Sequence, residues 1–180
     1  MKFKNDFGRS MLEMILYLGL IVILTASTLK MYSDSVEKTR LIKAEDQIVD
    51  IVEKVNNYYM GREFPTTGQL ETTLKTKLGD DINLVSPWGS KVTIYANKTG
   101  VAGNPILSKP YFGVKFANLT EAQCVNVANI FIGQSPVAVG INKDAVVTDT
   151  SKAIPSVSDM ATDCNKKDAT NYVMGWFLKD

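Results

Sequence analysis

Phe7-Gly8-Arg9-Ser10-Met11-Leu12-Glu13 leads into an almost unbroken apolar run from Met14 to Leu29. The run alone makes roughly 24 Å of helix at about 1.5 Å per residue, short of a hydrocarbon core of about 30 Å. It spans a bilayer only if Met11 and Leu12 join it, and that carries Glu13 in too. A lone carboxylate in hydrocarbon costs about 2.5–3.5 kcal/mol, so a chain that keeps one here needs a partner for it. Two ordinary readings compete. A secretory signal peptide is cut behind its apolar core, where Thr25-Ala26-Ser27 offers small residues, and a plain single-span anchor stops at a linker.

No linker follows. Leu41, Ala44, Ile48, Ile51, Val52, Val55 and Tyr58 recur at steps of three or four with charged residues between them, and no proline occurs before Pro65. The pattern predicts one helix from around Ser10 to Tyr59, well beyond the usual 8–20 residues of a globular helix. Its apolar part (9–29) is apolar all round, and its second part (30–60) is apolar on one stripe. Such a helix suits a lipid- or fibre-buried stem whose lower part packs on a head formed by 61–180.

The head reads as mixed α and β, so the fold class is α+β. Pro65 and the leucines Leu70, Leu74 and Leu78 predict a short helix over Thr67–Leu78. Ser86-Pro87-Trp88-Gly89 is a turn signal, and Lys91–Tyr95 alternates as a strand. Tyr111–Phe116 and Pro136–Ile141 are further strands, with Ala145–Thr148 pairing back through Asn142-Lys143-Asp144. Thr120-x-x-Gln123 is a capping box that starts a helix burying Val127, Ala128 and Phe131. Asn171–Leu178 is a strand whose Tyr172, Met174, Trp176 and Leu178 face is expected to pack on the long helix. Thr148–Thr170, polar and holding Pro155, reads as a surface loop.

Composition excludes several function classes. With 45% hydrophobic and 22% charged residues the chain is ordinary globular protein around its apolar stem. Its 20 basic and 19 acidic side chains come into balance once Lys2, Lys4 and Asp6 are removed, so nucleic acid is not indicated as a partner. There is no histidine, which removes Ser-His-Asp and Cys-His catalysis and the common zinc ligand sets. The glycines form no phosphate loop, and Glu45-Asp46 and Asp80-Asp81 read as solvated charges. The Asn97-Lys98-Thr99 and Asn118-Leu119-Thr120 triplets read as chance matches to a glycosylation signal. No catalytic, cofactor-binding or metal residue is expected. Basic residues flank the apolar run on both sides, so charge does not orient it.

The two cysteines, Cys124 and Cys164, lie 40 positions apart, too far for a CxxC site. An even count suggests a disulfide in an exported chain, with two buried free thiols as the alternative.

The short leader, the glycine at position 8 and the glutamate at 13 resemble the processing site of type IV prepilins. The long helix resembles the pilin spine, although the proline often found midway in its apolar half is missing. The capped helix carrying Cys124, the stretch to Cys164 and the terminal strand look like type IVb pilins, the class of toxin-coregulated and conjugative thin pili. The eight-residue leader is shorter than that class usually has. The resemblance implies cleavage after Gly8 by a prepilin peptidase, methylation of the new amino terminus at Arg9, a register role for Glu13 in assembly, and a Cys124–Cys164 disulfide. It implies a single-pass precursor in the inner membrane that the pilus assembly machinery polymerises into an extracellular helical filament, a homo-oligomer. Two other readings stand beside it: a pseudopilin or minor pilin of a type II-like secretion machine, and a membrane-anchored binding domain that never polymerises. The cysteine pair favours the pilus over the calcium-bound pseudopilins, which typically lack such a loop.

Overall fold

The computed structural model describes residues 6–65, 67–78, 82–97, 109–143, 153–165 and 170–179. The first helix, α1, runs Asp6–Tyr59, beginning four residues ahead of the expected Ser10. The chain divides into two units, 1–39 and 40–180. In the first, every described side chain from Met11 to Ser35 is exposed.

The second unit is built on a five-stranded antiparallel sheet in the order β1-β2-β3-β5-β4. Its strands are β1 (Thr67–Gln69), β2 (Thr93–Asn97), β3 (Tyr111–Leu119), β4 (Ala138–Ile141) and β5 (Asn171–Leu178), and its helices are α2 (Glu71–Leu78), α3 (Glu121–Gly133) and α4 (Val157–Asp163). The apolar stripe of α1 is buried as its spacing demands: Ala44, Ile48, Ile51 and Val55 are inaccessible to solvent. They pack with Ile94 of β2, Phe112, Val114 and Phe116 of β3, Val127, Ala128 and Phe131 of α3, and Val173 and Phe177 of β5. Ring pairs brace this layer, with Phe112–Phe177 stacked at 5.7 Å and Phe116–Phe131 edge-on at 5.9 Å. Such pairs add about 0.5–1.5 kcal/mol each beyond the area they bury.

The facing of β5 corrects the expectation. Val173 and Phe177 point into the core that holds α1, while Met174 and Trp176 lie in a smaller cluster with Tyr111, Ala138 and Ala153. The reason is space. Val114 pairs with Gly175, and a Cβ at Gly175 would lie about 2.7 Å from Phe131 Cε1, so the glycine admits the α3 phenyl ring on the α1 side. Gly113, paired with Trp176, does the same on the other side, where a Cβ would come within 2.6 Å of the indole. Both faces of β5 are buried, and residue size alone does not say which meets the helices.

Other segments differ in detail. Thr67–Leu78 divides into β1 and α2, because Gly68, at φ +135°, is paired with Ala96 and Leu70 N donates to Ile94 O at 2.8 Å. Leu70 and Leu74 are buried as expected, and the Leu78 side chain lies outside the described residues. The Ser86–Gly89 turn is present, with Gly89 N donating to Ser86 O at 2.8 Å. β2 starts at Thr93, and Lys91 forms only an isolated bridge with Val85. β3 extends to Leu119, with an irregularity between Phe116 and Leu119, and β4 starts at Ala138. The expected Ala145–Thr148 strand lies outside the described residues. The 148–170 loop contains α4, started by a second capping box in which Ser156 N donates to Asp159 Oδ2 at 3.1 Å and Asp159 N to Ser156 Oγ at 3.3 Å.

Candidate assembly stem and disulfide clasp

Successive residues on a helix point about 100° apart, so four in a row sample its whole circumference. Leu20, Ile21, Val22 and Ile23 are all exposed, by 54% or more, as are Met11, Leu12, Met14, Ile15 and Leu16. An apolar surface on every side of a helix is stable only in lipid or among other apolar helices. The polar groups near the end of the run are already satisfied. Thr25 Oγ1 donates to Ile21 O at 2.9 Å, Ser27 Oγ to Ile23 O at 2.9 Å and Thr28 Oγ1 to Leu24 O at 3.1 Å. Back-bonding of this kind spares the hydroxyls a solvent partner in hydrocarbon. A side chain added at Gly19 would meet nothing, leaving the backbone open to close approach by another helix.

Glu13 lies on this apolar surface, exposed. Gly8 and Arg9 fall in the first turns of α1, and the side chains of 6–10 lie outside the described residues, so an Arg9–Glu13 pairing lies outside them too.

In the second unit, Cys124 and Cys164 are bonded and inaccessible to solvent. Local sequence places each. Thr120 caps α3, with Gln123 N donating to Thr120 Oγ1 at 3.4 Å and Thr120 N to Gln123 Oε1 at 3.0 Å, and Cys124 falls at the end of the first turn. Cys164 is the C-cap of α4. Beside the disulfide lies an asparagine clasp that sequence reasoning missed. Asn142 Nδ2 donates to Asp163 O at 2.6 Å and to Asn171 Oδ1 at 3.1 Å, and Tyr172 N donates to Asn142 Oδ1 at 3.0 Å. Asn171, wholly buried, donates on to Leu119 O at 3.3 Å. The residue before Cys164 is thus tied to the ends of β3, β4 and β5. The one local signal is Asn142 at a strand end, where φ is +54°, a conformation asparagine tolerates better than most residues.

Among the described residues of the head, two phenols carry shifts of ionisation. Burial, and then the neighbouring Tyr58, raise the pKa of Tyr59 above 10.0. Burial raises Tyr111 as well, against a hydrogen bond from Asn97 Nδ2 at 3.0 Å that lowers it. No cluster of three or more acidic or cysteine side chains able to hold a metal occurs among the described residues.

A family model described as Bundlin matches residues 40–179, the α1 stripe, the sheet and both cysteines included. The chain belongs to the bundlin family of type IVb pilins. Members of this family are structural proteins, and this one is a subunit of a type IV pilus that polymerises into filaments. Two solved structures share its fold. The type IV pilin TcpA from Vibrio cholerae El Tor biotype superposes with a TM-score of 0.55 at 13% identity, over 77% of this chain and 98% of that one. A type IVb pilin from Salmonella typhi gives 0.53 at 13% identity, over 79% and 99%. Comparison with curated proteins gives no match.

Proposed function

We propose that this pilin is made as a single-pass inner-membrane precursor, is cut after Gly8 by a prepilin peptidase, is methylated at Arg9 and is then polymerised outside the cytoplasm by a pilus assembly machine. The observation that carries this reading is the stem, apolar on every side from Met14 to Leu24 with Glu13 at its start. Lipid covers that surface in the precursor. In the filament, the stems of other copies cover it, and the carboxylate at Glu13 meets the amino terminus of a neighbour. The head does no chemistry; its work is to hold a folded surface outside the stem bundle.

Mass spectrometry of the pilin taken from sheared filaments tests processing. The expected mass lacks residues 1–8 and carries one methyl group on Arg9, and replacing Gly8 by a bulky residue leaves the precursor uncut. Cleavage behind Ala26 would separate the stem from the head and defeat the proposal.

A further inference from the structure

The head part of α1 is covered on one side. Ala44, Ile48, Ile51 and Val55 are buried in the head core, whereas Ile42 and Val49 are 59% and 44% exposed. Seven residues is close to two turns, so Ile42 and Val49 stand in one line on the free side of the helix. Glu53, one turn beyond Val49 on that side, is exposed as well. Apolar side chains exposed singly are ordinary, but these two are in line on the same helix that carries the stem. Lipid does not reach them. Ile42 lies thirteen residues beyond Leu29, about 20 Å further along the helix and outside the hydrocarbon that the apolar run occupies.

We infer that this line is a track for the apolar stem of a second copy of this chain, lying parallel to α1 and displaced along it by about twenty residues, roughly 30 Å. The inference rests on the filament reading. A helical polymer relates its copies by rotation about an axis and translation along it, so all stems point the same way and neighbours are shifted lengthwise. Continuity then selects the occupant. Because α1 is one helix from Asp6 to Tyr59, a copy that packs beside its stem and is shifted along it comes next to Ile42 and Val49. A displacement of twenty residues sets Val22 beside Ile42 and Leu29 beside Val49, and both stem residues are more than 60% exposed. The charges agree with that register. Lys30 is the first charged residue after the apolar run and is exposed. It arrives beside Asp50, which already takes Lys54 Nζ at 2.9 Å, and within one turn of Glu53, the carboxylate that receives it.

Treating wild-type sheared filaments with a water-soluble carbodiimide tests the register, because that reagent joins a carboxylate to an amine in contact with it. The expected product is a ladder of denaturant-resistant multimers whose linked peptides join Lys30 to Glu53. Within one copy these residues stand roughly 35 Å apart on a single helix, so the link can form only between copies. Benzoylphenylalanine put in place of Val49 and irradiated in filaments is expected to link to the stem of another copy, between Val22 and Lys30. Val49→Lys is expected to make several-fold fewer filaments while the denaturant midpoint of the head stays unchanged, because the side chain is exposed there. Three results overturn the inference and leave the pilus reading standing: filaments without the Lys30–Glu53 link, a probe at position 49 that links to nothing or to the head of another copy, or a normal filament count from Val49→Lys. Wild-type cells without filaments would overturn the pilus reading and this inference with it.

Discussion

Glu13 and Arg9 show how much rests on single residues. On the proposed cleavage after Gly8, Arg9 becomes the first residue of the chain, four positions ahead of Glu13, so one helix could satisfy its own carboxylate. The cation-first order is the weaker i,i+4 orientation, and the helix N-terminus already favours the carboxylate over the guanidinium. Glu13 is therefore expected to keep a role between subunits, and Arg9 is expected to lower the cost of holding it in the membrane. Glu13→Ala is expected to abolish or strongly reduce filaments with cleavage intact, whereas Arg9→Phe still assembles; electron microscopy with mass spectrometry of the same cells reads both. Normal filaments from Glu13→Ala would reject the register role. At Tyr59 and Tyr111 the folded pKa is raised, so the phenol keeps its proton longer in the native head than in the unfolded chain. The stability they contribute is complete below about pH 10, the unfolded value, and is lost as pH climbs through the raised folded values. Denaturant midpoints of the detergent-solubilised protein should fall across that window, and by less in Tyr59→Phe.

Among elements, those with a strong local signal were legible in the sequence. The α1 stripe, the Thr120 capping box and the limits of β5 follow from spacing, from a pairing of residue types and from a bounded alternating run. The loop assigned to Thr148–Thr170 hid α4, because among the described residues of that short helix only Met160 is buried and its polar composition reads as solvent-facing. The facing of β5 depends on Gly113 and Gly175, whose meaning appears only once Trp176 and Phe131 are set against them. The disulfide joins the first turn of α3 to the C-cap of α4, closing a loop of about 41 residues, for which the chain-entropy model gives roughly 4 kcal/mol. Cys164→Ser is expected to lower head stability by about 2–5 kcal/mol and to reduce piliation, as read by denaturant unfolding and filament counts. The asparagine clasp holds Asp163 without the disulfide, so the variant should still fold. Ready reaction of both native thiols with a maleimide would show that the bond does not form in the cell.

On the scale of the whole molecule, the α+β class and pilin architecture could be read because a stem apolar all round and a helix apolar on one stripe are physically different objects joined in one sequence. The candidate site was legible only in part. Glu13 and the cysteines announce themselves by chemistry, whereas the asparagine clasp is made of residues brought together from distant parts of the chain. All of it depends on one claim, that the stems are buried against one another in a polymer of this chain. Electron cryomicroscopy of filaments sheared from cells tests that most directly. The expected map shows this chain in every subunit, with Met14–Leu29 at the filament centre, packed among its copies and closed to solvent. A filament built from another protein, or one in which these residues lie outside the core, would contradict the account.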